Sequence, residues 1–311
     1  MVNSKMFVLM MALSTSGCVT GEFTDEGDTG DDDGERALGG NAPITIVQHN
    51  IEKRDEVLER TLTHAKNAGA HGIALQEVCP AQVERLRATY GGKWSIAVMP
   101  GKKPALSGCD LPNGTHDFPA NVAIWTGGTG GKATVYAAMS NPANAPGGMV
   151  CVEFDRAKVP VHLCSAHLIS ADWVDPNTGT KYDGEAIRQQ QTTHIKQIAR
   201  DNWFAGARNH FGIVAGDFNG QPNTPPLDKM YETSLGGTGD FTEYNRSGGS
   251  RDGAVTAHAD GSNTTDGKPY SKKIDYVFFS TNRAPRDGAG VNIIEDASDH
   301  DMVTSTVQMR K

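Results

Sequence analysis

The chain has 311 residues and a formal net charge of -8, and 37% of its residues are hydrophobic. No apolar run approaches the ~20 residues that a membrane-spanning helix needs, which excludes a membrane-spanning bundle. The apolar content exceeds that of a disordered chain, and the length allows one large domain or two small ones. The acidic total shows no general basic coat for nucleic acid.

Residues 1–18 have the layout of an export signal. Lys5 precedes an apolar stretch at 6–13, and small residues follow, which is typical of secreted proteins. The run that ends at Cys18 is similar to a bacterial lipoprotein box, in which the cysteine is lipidated and anchors the protein to a membrane. Thr15 stands where that box has an apolar residue, so cleavage after Ser16 and simple secretion is the alternative. A buried N-terminal helix is the third interpretation.

Residues 19–40 are polar and rich in glycine, with eight acids and one base. Such a segment buries too little to recover its ordering entropy, which predicts a flexible tether. A calcium-binding loop is the weaker alternative, because the run lacks the regular ligand alternation of such loops. Residues 41–311 form the predicted folded domain, and their net charge is only -2. The composition therefore does not argue against an anionic substrate.

The cysteine pattern supports export. Cys151 and Cys164 lie in two apolar stretches joined by a turn-like segment, which favours a hairpin with a cross-strand disulfide. Cys79 then pairs with Cys109 by elimination. Four buried free thiols are the alternative, and the sequence shows no cysteine–histidine spacing typical of zinc sites.

From residue 43 onward, strands and helices follow one another closely. The apolar patterns predict strands at 44–51 and 72–78, helices at 55–69 and 80–92, five strands between 94 and 169, a long helix at 183–205, and strands at 211–219, 273–280 and 304–309. Several strands succeed each other directly, so we expect one mixed α/β domain and not a simple parallel wound sheet. Long polar loops at 100–120 and 236–270 are predicted binding loops.

Polar residues recur at the ends of these strands. The set is Asn50, Glu77, His167, Asp217, Asn219, Asp275, Asp299 and His300. One such residue is usually a turn or helix cap, whereas strand ends of α/β folds converge on one edge, where sites form. Carboxylate and amide oxygens suit Mg²⁺, Mn²⁺ or Ca²⁺, and histidines suit proton transfer. The set therefore predicts metal-assisted hydrolysis of a phosphate ester.

Six segments occur in the order VQHNI, LQEVC, SAHL, GDFN, KIDYVFF and SDHDMV. Together they resemble the endonuclease/exonuclease/phosphatase superfamily, typified by deoxyribonuclease I, from about residue 44 to the C-terminus. The resemblance implies an α/β fold, a four-layered α-β-β-α sandwich of two packed mixed β-sheets with outer helices. The two disulfides also look like those of secreted bacterial members.

The resemblance implies which residues hold the cofactor and the water. Asn50, Glu77 and Asp299 would bind the metal ion, Mg²⁺ or else Mn²⁺ or Ca²⁺. Asp217 would orient or activate the attacking water, and Asn219 would position that water or the phosphate.

The resemblance also implies roles for two histidines. His300, held by Asp275, would contact the phosphate or transfer a proton. His167 would stabilise the phosphate from the other side or protonate the leaving oxygen. Many relatives carry a partner for this first histidine before the strand that begins at 121, where this sequence offers Asp117 and Asn121.

Other residues have two interpretations each. Arg188 occupies a helix position common in relatives, or a solvated helix face. Lys102, Lys103, Lys272 and Lys273 would meet phosphates or only confer solubility. Trp173 would stack on a base or pack in the core.

The sequence thus predicts a secreted, monomeric, divalent-metal-dependent phosphodiesterase, most specifically an endonuclease on DNA or RNA. One alternative is a phospholipase of the sphingomyelinase type or a lipid phosphatase on the same fold. Such a phospholipase would need an exposed aromatic hairpin, and the loop 236–253 offers only Phe241 and Tyr244. The other alternative is a catalytically inactive surface-binding module.

Overall fold

The computed structural model describes residues 41–101, 109–110, 116–205, 209–259, 269–285 and 289–311. The predicted export signal, the tether, Lys102 and Lys103 lie outside the described residues. Among the described helices, none is long and apolar enough to cross a membrane.

The first large sheet has six strands. They are β1 (Ala42–Asn50), β2 (Gly72–Val78), β3 (Ser95–Met99), β6 (Ala120–Trp125), β17 (Gly290–Ile294) and β18 (Met302–Met309), in the order β17-β18-β1-β2-β6-β3. Only β1 and β2 run parallel; β1 pairs antiparallel with β18, and β2 with β6.

The second large sheet repeats this plan. Its strands are β7 (Lys132–Tyr136), β8 (Gly148–Arg156), β9 (Val159–His167), β12 (Phe211–Asp217), β13 (Phe241–Thr242) and β16 (Asp275–Ser280), in the order β13-β16-β12-β9-β8-β7. Here β9 and β12 form the parallel pair, and β16 runs antiparallel to β12. Each sheet therefore has one central parallel pair, whose carboxyl ends lie side by side.

Short strand pairs and helices complete the fold. The pairs are β4 (Cys109–Asp110) with β5 (His116–Asp117), β10 (Trp173–Val174) with β11 (Lys181–Tyr182), and β14 (Ala257–Ala259) with β15 (Tyr270–Lys272). The α-helices are α1 (Asp55–Asn67), α2 (Pro80–Tyr90), α3 (Gly184–Ile198) and α4 (Pro225–Asp228).

Three hydrophobic cores separate four layers. Inward-facing residues such as Ile46 and Leu163 pack between the two sheets. The outer face of the first sheet packs against α1 and α2, with Leu58 among the buried residues. The outer face of the second sheet packs against α3, where Ile195 is buried. A strand buried on both faces needs apolar residues throughout, as in β12, and the resulting α-β-β-α sandwich confirms the predicted fold.

The long predicted helix at 183–205 has a change of geometry. Its α-helical part ends at Ile198, and a π-helical segment continues over Ala199–Phe204. This wider turn places Trp203 in the core, where it is buried. The sequence pattern missed the short strands β4, β5, β10, β11, β13, β14, β15 and β17, since two- to five-residue strands carry too few residues for a clear period.

Both predicted disulfides are present. Cys79 bonds Cys109 over a sequence separation of 30 residues, and Cys151 bonds Cys164 across adjacent strands β8 and β9. The alternative of four free thiols is wrong.

Candidate active site

The two parallel pairs bring the predicted residues to one edge of the sandwich. Asn50 and Glu77 lie at the carboxyl ends of β1 and β2, and His167 and Asp217 lie at those of β9 and β12. His167 and Asp217 are register partners. Because β16 runs antiparallel to β12, its first residue, Asp275, is the partner of Asp217 at the same edge.

A histidine–aspartate pair forms the buried part of this site. His300 Nδ1 lies 2.8 Å from Asp275 Oδ2, and both residues are buried. Asp275 Oδ1 accepts a hydrogen bond of 2.9 Å from Gln48, and Oδ2 accepts one of 3.1 Å from Thr256. These bonds fix the carboxylate, which in turn orients the imidazole.

Charge decides the protonation preference of His300. Burial alone would lower the pKa of its imidazole, but the charges of Asp275 and Asp217 and the hydrogen bond that His300 donates to Asp275 outweigh burial and raise it well above its usual value. These charges therefore favour the cationic form of His300, which suits contact with an anion.

Asp217 lies at the centre of the arrangement. Its Oδ2 is 3.3 Å from Asn50 Nδ2, 3.5 Å from His167 Nε2 and 3.7 Å from His300 Nε2. Its Oδ1 accepts a 2.8 Å hydrogen bond from the backbone N–H of Asn219. The buried carboxylate of Asp217 therefore faces two imidazoles, and this arrangement suits a group that accepts a proton during the reaction.

The close approach of two strands at this edge requires the glycine of the motif GDFN. Gly216 has φ +152°, and a Cβ at that position would lie 1.9 Å from the carbonyl oxygen of Ala166. Only glycine allows β12 to approach β9 this closely just before Asp217. Asn219 follows with φ +48°, and its Nδ2 donates to the carbonyl of Leu168 at 3.0 Å, which links the ends of both strands.

Glu77 reaches the edge through a backbone irregularity. The pairing of β2 with β6 shifts register between Leu75 and Val78, and Glu77 has φ +56°. Bulges of this kind re-aim a side chain. Glu77 contacts Asn50 Nδ2 at 3.4 Å and Lys53 Nζ at 2.9 Å. Burial would raise the pKa of Glu77, but His167 and Lys53 outweigh it and lower the pKa.

Asp299 completes the acidic side of the site. Its Oδ1 is 3.8 Å from His300 Nε2, and 28% of its side chain is exposed. Burial raises the pKa of Asp299, and the neighbouring charges of Glu77 and Asp217 raise it further. The three acids therefore repel one another, and a cation among them would relieve that repulsion.

The donor set fits a hard divalent cation. Glu77, Asp217 and Asp299 offer carboxylate oxygens, and no cysteine competes among the described residues of the site.

Ligand atoms of Asp217, Asp275 and His300 also lie within 4.8 Å of one another. Because His300 and Asp275 already satisfy each other through a hydrogen bond, we assign that second set to proton chemistry. Asn50 Oδ1 accepts from the backbone N–H of Glu52 at 3.1 Å, so its Nδ2 faces the acids.

Comparison with known proteins identifies the family. The model of the endonuclease/exonuclease/phosphatase family matches residues 47–300. The chain belongs to this family. Its enzymes are phosphoester hydrolases that generally use divalent metals. No curated protein sequence is significantly similar to the chain.

Solved structures share the fold. TDP2 from D. rerio, in complex with a single-strand DNA product, has 14% identity and a TM-score of 0.58, covering 86% of this chain and 99% of that one. The family member from Bacteroides vulgatus has 14% identity and a TM-score of 0.58, covering 86% and 100%. The catalytic domain of human Nocturnin has 17% identity and a TM-score of 0.54, covering 88% and 96%.

Of the two residues that the sequence offers as partners of His167, only Asn121 can be compared with the structure. Asn121 is buried and donates to the carbonyl of Gly148 at 3.2 Å; it makes no described contact with His167. The side chain of Asp117 lies outside the described part of the chain. His167 faces Asp217 instead, at 3.5 Å.

Several open interpretations are now decided. Lys273 is buried and bonded to Glu243, so it does not meet a phosphate. Arg188 does not lie on a solvated face, because it donates to the carbonyls of Ile169 and Ser170 at 2.9 and 3.2 Å. Trp173 is buried in a small core with Tyr182.

The sequence reasoning missed residues that hold the site together. Gln48 and Gln76 are buried, and Gln48 Nε2 donates to Gln76 Oε1 at 2.9 Å as well as to Asp275. Gln76 Nε2 continues this chain to Ser165 Oγ in the second sheet at 2.9 Å. A polar residue inside an otherwise apolar strand was the available signal for both glutamines; Thr256 lies in a loop and carries no such signal.

Proposed function

We propose that the chain is a divalent-metal-dependent phosphodiesterase whose substrate is nucleic acid. One observation carries the proposal: a buried histidine–aspartate pair, a second histidine and three acids converge at one edge of this family's fold. The likeness to TDP2, which was solved with a DNA product, favours nucleic acid as the substrate class.

The residues divide the chemistry between them. Glu77 and Asp299 would hold the ion through carboxylate oxygens, and Asn50 would join them by turning its amide so that Oδ1, not Nδ2, faces the ion. The ion would supply positive charge against the transition state of phosphoryl transfer. Magnesium is the ion we expect, with manganese or calcium as substitutes. Asp217 accepts a proton from the attacking water, and Asn219 positions that water or the phosphate.

The two histidines act on the phosphate. His300, cationic beside Asp275, holds a phosphate oxygen and stabilises the charge that develops on it. His167 lies on the other side of Asp217 and protonates the leaving oxygen or stabilises the phosphate.

The test uses the full chain with plasmid DNA, RNA, sphingomyelin and phosphoinositides, each with Mg²⁺, Mn²⁺ or Ca²⁺. We expect cleavage of a nucleic acid, its loss in EDTA, and a fall of about 10²–10⁴-fold in kcat for His300→Ala. His194→Ala, at an exposed position on α3, is the matched control and should keep full activity. Hydrolysis that survives EDTA, or an unimpaired His300→Ala enzyme, would contradict the proposal.

The lipid alternative has less support. Phe241 is fully buried, and the hydroxyl of Tyr244 donates to the carbonyl of Pro285, so neither aromatic residue of loop 236–253 is free to enter a membrane. Preferential hydrolysis of sphingomyelin in the same assay would favour the lipid enzyme. The inactive binding module would require the loss of a site residue. All eight predicted positions carry a residue that suits the proposed chemistry.

We also propose that the enzyme works outside the cytoplasm as a monomer. Its two disulfides are compatible with an oxidising compartment. The proposed order is a lipoprotein signal at 1–18, a tether at 19–40 and a catalytic domain at 41–311. Metabolic labelling with a palmitate analogue tests the anchor, because Cys18→Ser should abolish the label.

A further inference from the structure

Lys53 places an ammonium group directly on a predicted metal ligand. Its Nζ lies 2.9 Å from Glu77 Oε2, and each side chain is 23% exposed. The pair therefore lies at the open side of the site, where an incoming ion would meet it, and not in the buried layer formed by Asp275 and His300.

The backbone fixes Lys53 in this place. Glu52 and Lys53 have φ values of +48° and +63°, a conformation that is unfavourable for residues with a Cβ. The turn is closed by a 2.9 Å hydrogen bond from Arg54 N–H to the Ile51 carbonyl. It is tied to the neighbouring strand by a 3.1 Å bond from Lys53 N–H to the carbonyl of Glu77 itself. The main-chain geometry of this turn therefore places Lys53 beside Glu77.

The surrounding charges explain why a cation is needed there. Glu77 and Asp217 both lie beside Asn50 Nδ2, at 3.4 and 3.3 Å, and Asp299 lies 3.8 Å from His300 Nε2. Lys53 therefore supplies positive charge to a group of acids that repel one another.

We propose that Lys53 is an internal counter-ion of the metal site. It neutralises Glu77 while no metal is bound, and it leaves Glu77 when a divalent cation binds. A dication carries twice the charge of the ammonium and takes several oxygen ligands at once, so it displaces Lys53 from the carboxylate. Lys53 thereby sets how tightly the site holds its metal. This inference rests on the metal site of the proposed function.

The test measures Mg²⁺ and Mn²⁺ binding to the full chain by calorimetry, without substrate. For Lys53→Met we expect a metal Kd about three- to tenfold lower than that of the wild type, since the competing cation is gone. Lys53→Arg retains the charge and should bind metal as the wild type does. Lys66→Met is the matched control: it removes the same charge from a lysine whose partner is the neutral hydroxyl of Tyr90.

Thermal unfolding gives a second readout. In EDTA, Lys53→Met should melt at a lower temperature than the wild type, because Glu77 has lost its counter-ion; saturating Mg²⁺ should remove most of that difference. Lys53→Gln repeats both measurements if the methionine variant folds poorly. Equal or weaker metal binding by both uncharged variants overturns the role of Lys53 alone. Absence of metal binding in the wild type and the variants alike overturns the metal site itself, and this inference with it.

Discussion

Lys273 illustrates how a residue's role depends on its burial. From the sequence it was one of four lysines that could meet a phosphate, yet its Nζ donates to Glu243 Oε1 at 2.6 Å and to the Arg251 carbonyl at 2.8 Å. Tyr231 donates to the same carboxylate oxygen at 2.9 Å. This buried pair anchors the segment that leads to Thr256, which contacts Asp275.

At the residue scale, Lys273→Met should destabilise the fold by about 3–5 kcal/mol, because it leaves the Glu243 charge buried without its partner. The double variant Lys273→Met/Glu243→Gln should recover most of that loss. Urea unfolding at pH 7 measures both. Lys272→Met, at the exposed neighbouring position, is the control and should change the free energy of unfolding by less than about 1 kcal/mol. Equal stability of the Lys272 and Lys273 single variants would refute the argument.

At the element scale, the two disulfides have different relations to the site. Cys79 caps the N-terminus of α2 immediately after the strand that carries Glu77, and its bond to Cys109 ties that point to β4. Cys151 and Cys164 instead join the middle of two strands that are already paired along their whole length. The first disulfide therefore restrains the segment next to Glu77, and the second joins two interior strands of the sheet that are already hydrogen-bonded to each other.

Removing each pair by serine substitution should cost about 3–4 kcal/mol for Cys79–Cys109 and about 3 kcal/mol for Cys151–Cys164, from the loop lengths closed. Only the Cys79→Ser/Cys109→Ser variant should also bind Mg²⁺ more weakly, since it loosens the chain beside Glu77. Unfolding in urea without reductant and calorimetric titration measure the two effects. A similar loss of metal affinity in both variants would show that the effect is general loosening.

At the scale of the whole molecule, buried neutral histidines link stability to pH. Burial lowers the pKa of His49 to about 4, and burial with the nearby charges of His210 and Lys132 lowers that of His162 to about 3. His49 Nε2 donates to the His300 carbonyl at 3.0 Å, and the His162 ring stacks on Trp203 at 5.0 Å. In the folded protein either ring takes up a proton only while it is buried. In the unfolded chain the same ring is exposed and binds a proton near pH 6.5.

Stability from these histidines is therefore complete above about pH 6.5 and declines as the pH falls toward their folded pKa values, by about 1.4 kcal/mol per pH unit for each histidine. His162→Phe keeps an aromatic ring on Trp203 and should reduce the slope of unfolding free energy against pH by one proton between about pH 6 and 4.5. The exposed His194→Gln should leave that slope unchanged. Urea unfolding over this pH range measures the slope. An unaltered slope in His162→Phe would refute the assignment of His162 as a buried neutral histidine.

Local patterns in the sequence were enough to predict the long elements, and the resemblance to a known family implied the layers. Alternating and continuous apolar runs predicted the long strands and α1–α3, and the order of six motifs predicted the family and the sandwich. The eight polar residues at strand ends were recognisable because each follows or opens an apolar strand, as Glu77 follows β2 and Asp275 opens β16. Their roles in catalysis remain predictions.

Only the tertiary structure decided which residues meet. The sequence contains Lys53, Gln48 and Thr256, but their contacts with Glu77 and Asp275 join residues 19 to 227 positions apart. Such contacts depend on how the two sheets pack and on main-chain strain at single residues. The spacing of apolar residues along the sequence carries no information about either. The sequence by itself therefore determined the elements, the family and the chemical type of the site. The packing of the two sheets decided that Asp275 orients His300 and that Asp217 faces both histidines, and the main-chain turn after β1 decided that Lys53 contacts Glu77.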